Sequence, residues 1–197
     1  MGFENLYIED KAVVYKKGKY DLFDFFTKIK MPKKRRFFIL GEGIYIKKII
    51  KETKVNKEWI EKVIKDLFGV NNNFLFHYEI KKRYVFFYGI TKANIVSKLS
   101  MGAERVIVEP IQIYIVRKLN KKIKDKKWTL IFCLNDKFYL CNIEDGILIY
   151  EKIYVNSSDI NINLIGDRVY IDKNMNDLVG IKGATYIEIG GLINAKV

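Results

Sequence analysis

Four carboxylates have the residue type and placement for divalent-metal chemistry: Glu9, Asp10, Glu42 and Asp136. A nuclease of the ribonuclease-H type holds two metal ions with Asp or Glu from adjacent central strands, and the ions stabilise the attacking and leaving oxygens. All four fall at strand ends and turns, where short acids are common for local backbone reasons. A basic candidate follows. Lys33, Lys34, Arg35 and Arg36 stand directly before the apolar run Phe37-Phe38-Ile39-Leu40. They fit a polyanion contact, a nuclear address, or the solvated head of a buried strand, since lysines and arginines guard apolar strands against aggregation. Nucleic-acid grooves interleave basic residues with exposed aromatics. Here at least one of Phe37 and Phe38 is expected to point inward.

His77 is the only histidine. Alone on a strand it cannot build a His-based metal site, and a nucleophilic pair would need Ser97, Ser100 or a cysteine brought to it. Gly41 and Gly43 bracket Glu42, and Gly190-Gly191 lies near the end. Neither pair matches a Walker or Rossmann fingerprint, and the first reads as a tight turn between strands.

The elements that would position these residues follow from periodicity. "NLYIE" and "AVVYK" read as paired strands turning near Asp10-Lys11, and "YDLFDFFTKI" as a short helix with Asp21 at its start. Phe37 to Leu40 and Ile44 to Ile50 are strands flanking Gly41-Glu42-Gly43. The clearest helix is "VNKEWIEKVIKDLFG", with Asn56 as N-cap, a Val55–Ile60 staple and Gly69 as its stop. After the Asn71-Asn72-Asn73 loop, "FLFHYEI" and "RYVFFYGI" form a hairpin around Lys81-Lys82. Thr91 is placed to cap a helix through Leu99, "ERVIVEP" is a strand, and Pro110 opens a helix through about Leu119. Trp128 to Leu134, Phe138 to Ile143 and Ile147 to Val155 form a meander, "DRVYID" is a last strand, and a mixed tail closes the chain.

This order mixes hairpins with strand–helix–strand crossings, so the fold class is α/β with a mixed sheet. A chain of 197 residues with 49% hydrophobic content fills one large domain or two lobes. The division is expected near residues 100–127, giving a first lobe over 1–100 and a second, compressed lobe over 101–197.

Two cysteines make neither a disulfide framework nor a metal pattern. A two-residue turn at Asn135-Asp136 sets Cys133 opposite Phe138 and Cys141 opposite Leu130. The sulfurs then lie on opposite sheet faces, as reduced thiols. No apolar run approaches the ~18 residues of a membrane span, and the N-terminus lacks a secretory pattern, so a soluble cytoplasmic protein is expected. The net charge of +13, from 36 basic and 23 acidic residues, favours polyanionic partners. A blander source is the Lys-, Ile- and Asn-rich bias of AT-rich coding.

Several segments together resemble a known family. "RRFFILGEGIYIKKIIKETKVNKEWIEKVIKDLFG", "FHYEI", "RYVFFYGITKANIVSKL" and "ERVIVEPIQIYIVRKL" follow the course of the actin-like cytoplasmic domains of the type IV pilus assembly PilM family and of the type II secretion L protein. The resemblance spans roughly residues 35–155. It implies a degenerate actin-like, ribonuclease-H-like fold of two lobes. It also implies a non-catalytic cytoplasmic scaffold that bridges an inner-membrane pilus or secretion subunit and the assembly ATPase, peripheral to an anionic membrane face. Actin-like ATPases hold phosphates in two glycine-containing hairpin turns. The corresponding turns here, Ile8-Glu9-Asp10-Lys11 and Leu134-Asn135-Asp136-Lys137, contain no glycine. A β-carbon keeps backbone amides from approaching a phosphate closely. No cofactor is therefore expected. Two other functions compete: a basic nucleic-acid-binding protein of phage or plasmid type, using Lys33, Lys34, Arg35 and Arg36, and a nucleotide-dependent enzyme.

Overall fold

The computed structural model describes residues 2–51, 54–69, 73–166, 168–175, 181 and 183–193. Asn71 and Asn72 of the expected loop, Asp167 of the expected last strand, and parts of the tail lie outside them. The chain opens with strands β1 (Glu4–Ile8), β2 (Ala12–Tyr15) and β3 (Gly18–Asp21), helix α1 (Leu22–Lys28) and strand β4 (Lys34–Ile39). Next come β5 (Tyr45–Ile50), α2 (Lys57–Phe68), β6 (Leu75–Lys81), β7 (Tyr84–Ile90) and α3 (Ala93–Ser100). Strand β8 (Arg105–Pro110) and helix α4 (Ile111–Leu119) lead to β9 (Lys127–Leu134), β10 (Lys137–Glu144), β11 (Ile147–Tyr154), β12 (Val169–Asp172) and β13 (Thr185–Ile187).

Two five-stranded sheets repeat one topology. The first runs β3-β2-β1-β4-β8 and the second β11-β10-β9-β12-β13. In each, the three strands of an antiparallel meander are followed by two strands parallel to the first. This is the two-lobed actin-like, ribonuclease-H-like architecture. The repeat is topological and leaves no periodic trace in the sequence. Between β4 and β8 the chain builds a third sheet, β5-β7-β6. The amphipathic helix α2 covers one face of it, packing Ile60 against Val85 and Phe87. Strand β8 completes the first sheet, so that sheet extends past residue 100, where the division between lobes was expected.

Local signals account for most boundaries. The Asp21 side chain accepts from the Asp24 N–H at 2.8 Å, and Asn56 accepts from the Trp59 N–H at 2.8 Å. Gly69 ends α2 at φ +69°, a conformation that favours glycine. Strand β3 was not expected. Its turn is made by Lys16 and Lys17 at φ +55° and +107°, residues that carry no turn signature. Thr91 does not cap α3 as expected: Lys92 takes the N-cap position without a side-chain cap bond, and the Thr91 hydroxyl donates to the Glu42 carboxylate.

Helix α4 lies between the two large sheets. Gln112, Ile111 and Ile115 are fully buried, and Tyr114 packs edge-on against Phe38. One apolar core therefore runs through both lobes, from Leu6, Ile8 and Phe37 to Leu130, Phe132 and Tyr139. The outer face of the second sheet is covered differently. Ile131, Leu140 and Ile171 pack under Ile160 and Met175, and among the described residues the connection from β11 to β12 carries 3-10 turns at Ser157–Asp159 and Ile162–Leu164. The cysteine registers hold: Cys133 pairs with Phe138 and Cys141 with Leu130, with Cys141 in the main core and Cys133 against the outer cluster. Burial raises both thiol pKa values.

Candidate functional site

The parallel strands of the two lobes end at a shared cleft. Ligands of open α/β sheets bind outside the carboxyl ends of such strands. Strand β1 delivers the Glu9-Asp10-Lys11 turn and β4 delivers Gly41-Glu42. The opposite wall is the β9–β10 turn, where Asn135 and Asp136 adopt φ +50° and +55°. A cavity of about 360 Å3 remains between them, lined by Glu9, Asp10, Lys19, Gly41, Asn135 and Lys137.

The two turns are joined directly. The Asn135 side-chain amide donates to Glu9 Oε1 at 2.6 Å. Lys137 donates to the Gly41 carbonyl at 3.2 Å and stands 3.7 Å from Asp10 Oδ2. The Gly41 N–H donates to the Tyr139 hydroxyl at 2.8 Å. Gly41 itself has φ +69°, and a β-carbon there would meet the Lys137 ammonium at 2.7 Å. On the first-lobe side, Lys19 pairs with Glu9 at 2.5 Å, and the Lys92 ammonium sits 3.2 Å from Asp10 and 3.0 Å from Glu42.

Asp10 and Glu42 thus meet through Lys92, while Glu9 is held apart by Lys19 and Asn135, so each acid already holds an ammonium or an amide. Asp136 is exposed and outside the cavity lining. Among the described residues no three His, Cys, Asp or Glu side chains are grouped to hold a metal ion. The hydrogen bond from Lys92 holds the Asp10 carboxyl below the usual carboxylate range. Burial works against the Lys92 ammonium, yet its bonds to Glu42 and Asp10 outweigh that and raise its pKa. A polyphosphate does not fit these residues. It would have to part the Glu9–Asn135 bond and lie against three carboxylates.

Lys92 and Lys137 are the residues that sequence reasoning missed. Each is one lysine among many, and only the meeting of the lobes gives it a role. Lys92 adopts φ +89°, strained for a side chain with a β-carbon, and the conformation points its ammonium at two acids.

A second junction lies beside the cleft. Glu151 on β11 accepts from the Ile44 N–H at 3.0 Å and from Gln112 Nε2 at 3.2 Å, and Gln112 also donates to the Glu42 carbonyl at 2.9 Å. Burial pushes the Glu151 carboxyl up to about 7, against the pull of these two donors.

The basic cluster divides. Arg35 is 2% exposed. Its guanidinium donates to the carbonyls of Pro32, Leu99 and Met101, the last at 2.9 Å, so it is withdrawn from any polyanion. Lys33 pairs with Glu104 at 2.8 Å, Lys34 is half-buried, and Arg36 lies over the Phe3 ring. Phe37 and Phe38 are both buried. The cluster is largely the wet and bonded head of a strand. His77 stacks on Tyr88 and faces Glu79, and it hydrogen-bonds neither a serine nor a cysteine.

No protein-family model and no curated protein matches the chain. Solved structures do. A Bacteroides thetaiotaomicron protein, described as having an actin-like ATPase fold and unknown function, is 13% identical, with a TM-score of 0.48 over 86% of this chain and 80% of that one. The cytoplasmic domain of EpsL, an inner-membrane component of the Vibrio cholerae type II secretion system, is 8% identical, with a TM-score of 0.45 over 86% and 81%. A PilM–PilN type IV pilus biogenesis complex is 8% identical, with a TM-score of 0.43 over 63% of this chain and 44% of that one. No helix among the described residues is long and apolar enough to cross a membrane. The two-lobed actin-like architecture of this chain is carried by its own pair of matching sheets.

Proposed function

We propose that this protein is a non-catalytic, actin-like scaffold that holds an inner-membrane subunit of a type IV pilus or type II secretion machine and links it to the assembly ATPase. One observation carries the non-catalytic part: the two turns that would cradle phosphates are bonded to each other through Glu9 and Asn135. With the two turns bonded across the cleft, the two lobes act as one rigid platform. The link to an envelope machine is supported by the resemblance of residues 35–155 to the PilM and L-protein domains. Sheet edges offer the means of binding, because an extended segment of a membrane subunit can add a strand to an exposed edge. The competing nucleic-acid function loses Arg35 to the interior.

The test is in-cell crosslinking of the tagged full chain in its source organism, followed by mass spectrometry. Recovery of an inner-membrane pilus or secretion subunit, reduced when β6 is disrupted by Tyr78→Pro, is expected. Recovery of nucleic acid alone, with no envelope component, overturns the proposal.

A further inference from the structure

A dense run of positive charge in the sequence lies away from the cleft. Seven of the eleven residues over 117–127 are Lys or Arg, against 36 in the whole chain. This segment is the last turn of α4 and the connection to β9. It faces a second basic turn, Lys81-Lys82-Arg83, between β6 and β7. Between them runs a groove of about 640 Å3, whose lining includes Lys81, Lys82, Lys124 and Lys126.

The groove is built, not merely decorated. The Asn120 side chain donates to the Gly146 carbonyl at 2.7 Å, and the Asp145 N–H donates to the Lys126 carbonyl at 2.6 Å. Lys82 stands 3.5 Å from Asp145. These bonds fix three turns from three parts of the fold: the inserted sheet, the connection between lobes, and the second sheet. The lining contains two acids, and both are engaged. Asp125 accepts from the Tyr170 hydroxyl at 2.6 Å, and Asp145 holds Lys82. The α4 carbonyls, which would repel an anion, are capped by N–H groups of Lys122 and Ile123 donating to Leu119 at 2.8 Å. By contrast, Lys121, Lys122, Lys124 and Lys126 have no carboxylate at ion-pair distance among the described residues, and all four are exposed. Like charges crowded without counter-charge repel one another, and an anionic partner relieves that cost.

We infer that this groove receives an acidic, extended segment of a partner protein, a Glu/Asp-rich stretch whose carboxylates pair with Lys124 and Lys126 in its lining and with the exposed Lys121 and Lys122 on the connection that flanks it. This rests on the scaffold reading and adds the chemistry of one partner. The groove's shape and composition select this ligand among polyanions. The large apolar side chains exposed elsewhere on the molecule are absent from it, so nothing there enters a bilayer. No aromatic side chain lines it to stack a base. Duplex DNA carries a phosphate for each ~1.7 Å of axis and would press charge against Asp125 and Asp145 as well as the lysines. A peptide's carboxylates are discrete. In an extended chain those on one side recur about every 7 Å, so they can meet lysines and pass the aspartates.

The test is fluorescence anisotropy of the full chain with a fluorescein-labelled octaglutamate peptide at ~150 mM salt, where exposed long-range attraction is largely screened. Two quadruple variants remove the same charge. One is Lys121→Gln, Lys122→Gln, Lys124→Gln, Lys126→Gln. The other takes Lys54, Lys57, Lys62 and Lys65, on and before α2, to Gln. Circular dichroism confirms that both fold. Saturable binding weakened at least tenfold by the groove variant and less than twofold by the α2 variant supports the inference. Equal loss in both variants, no binding at this salt, or tighter binding of a 20-base-pair duplex or of phosphatidylserine vesicles overturns it. Failure here with an envelope subunit still crosslinked removes the groove's role and leaves the scaffold. Failure of the crosslinking alone removes the scaffold.

Discussion

The cleft and the basic groove are both rich in lysine, and they use it in opposite ways. In the cleft, Lys19, Lys92 and Lys137 each face a carboxylate or carbonyl of the same molecule. In and beside the groove, four exposed lysines, Lys121, Lys122, Lys124 and Lys126, face water. A charge satisfied internally joins parts of the fold. A charge left unsatisfied at a fixed concavity is available to something else.

The contrast predicts a graded response to substitution. The largest loss is expected at Arg35, the most completely internal charge. Arg35→Met leaves the buried Leu99 carbonyl and the partly exposed Met101 carbonyl without this donor and should destabilise by about 3 kcal/mol, read as a lowered urea midpoint. Lys92→Ala leaves Asp10 and Glu42 facing each other and should cost about 2 kcal/mol. Lys92→Gly should cost about 1 kcal/mol less than Lys92→Ala, because glycine accepts φ +89° without strain. If the two variants unfold at the same denaturant concentration, the strain at Lys92 is not real.

Glu151 gives a pH signature. Its folded pKa, about 7, lies above the ordinary carboxylate value of 4.5. The folded state therefore holds a proton that the unfolded state has released. Stability is highest below pH ~4.5 from this group and is lost as pH rises through about 7. Glu151→Gln should remove that loss and raise stability at pH 8 by about 1–2 kcal/mol. Parallel stability–pH curves for the two proteins between pH 5 and 8 would refute the assignment. The smallest effects belong to the groove. Lys122→Ala, Lys124→Ala and Lys126→Ala should each change stability by less than about 0.5 kcal/mol, since none is engaged in the fold. A loss above ~1 kcal/mol at any of them would place that lysine among the internal charges and blur the contrast.

Elements that depend on neighbours in sequence were legible. Helix α2 declares itself through its Asn56 cap, its apolar stripe and Gly69, and the β9–β10 register follows from a two-residue turn. The acids Glu9, Asp10 and Glu42 could be picked out by type and position. What could not be read was their company. Lys92 and Lys137 reach them only after distant segments fold together. Strand β3 hid behind a Lys16-Lys17 turn with no glycine or asparagine. Arg35 looked like its neighbours in a basic run, but strand alternation turns it to the covered face while Lys34 and Arg36 point the other way. The groove was missed for a similar reason: in a lysine-rich chain, the dense run at 117–127 reads as bias until the β6–β7 turn is seen opposite.

The central claim is that the inter-lobe turns bind each other in place of phosphate. Isothermal titration calorimetry of the full chain with magnesium and ATP, up to 1 mM nucleotide, addresses it most directly. The account predicts no saturable heat, with or without magnesium, and no shift in the melting temperature under the same conditions. Saturable binding with a Kd below about 100 μM, lost in Asn135→Ala and Lys137→Ala, would contradict it and make the cleft a nucleotide site.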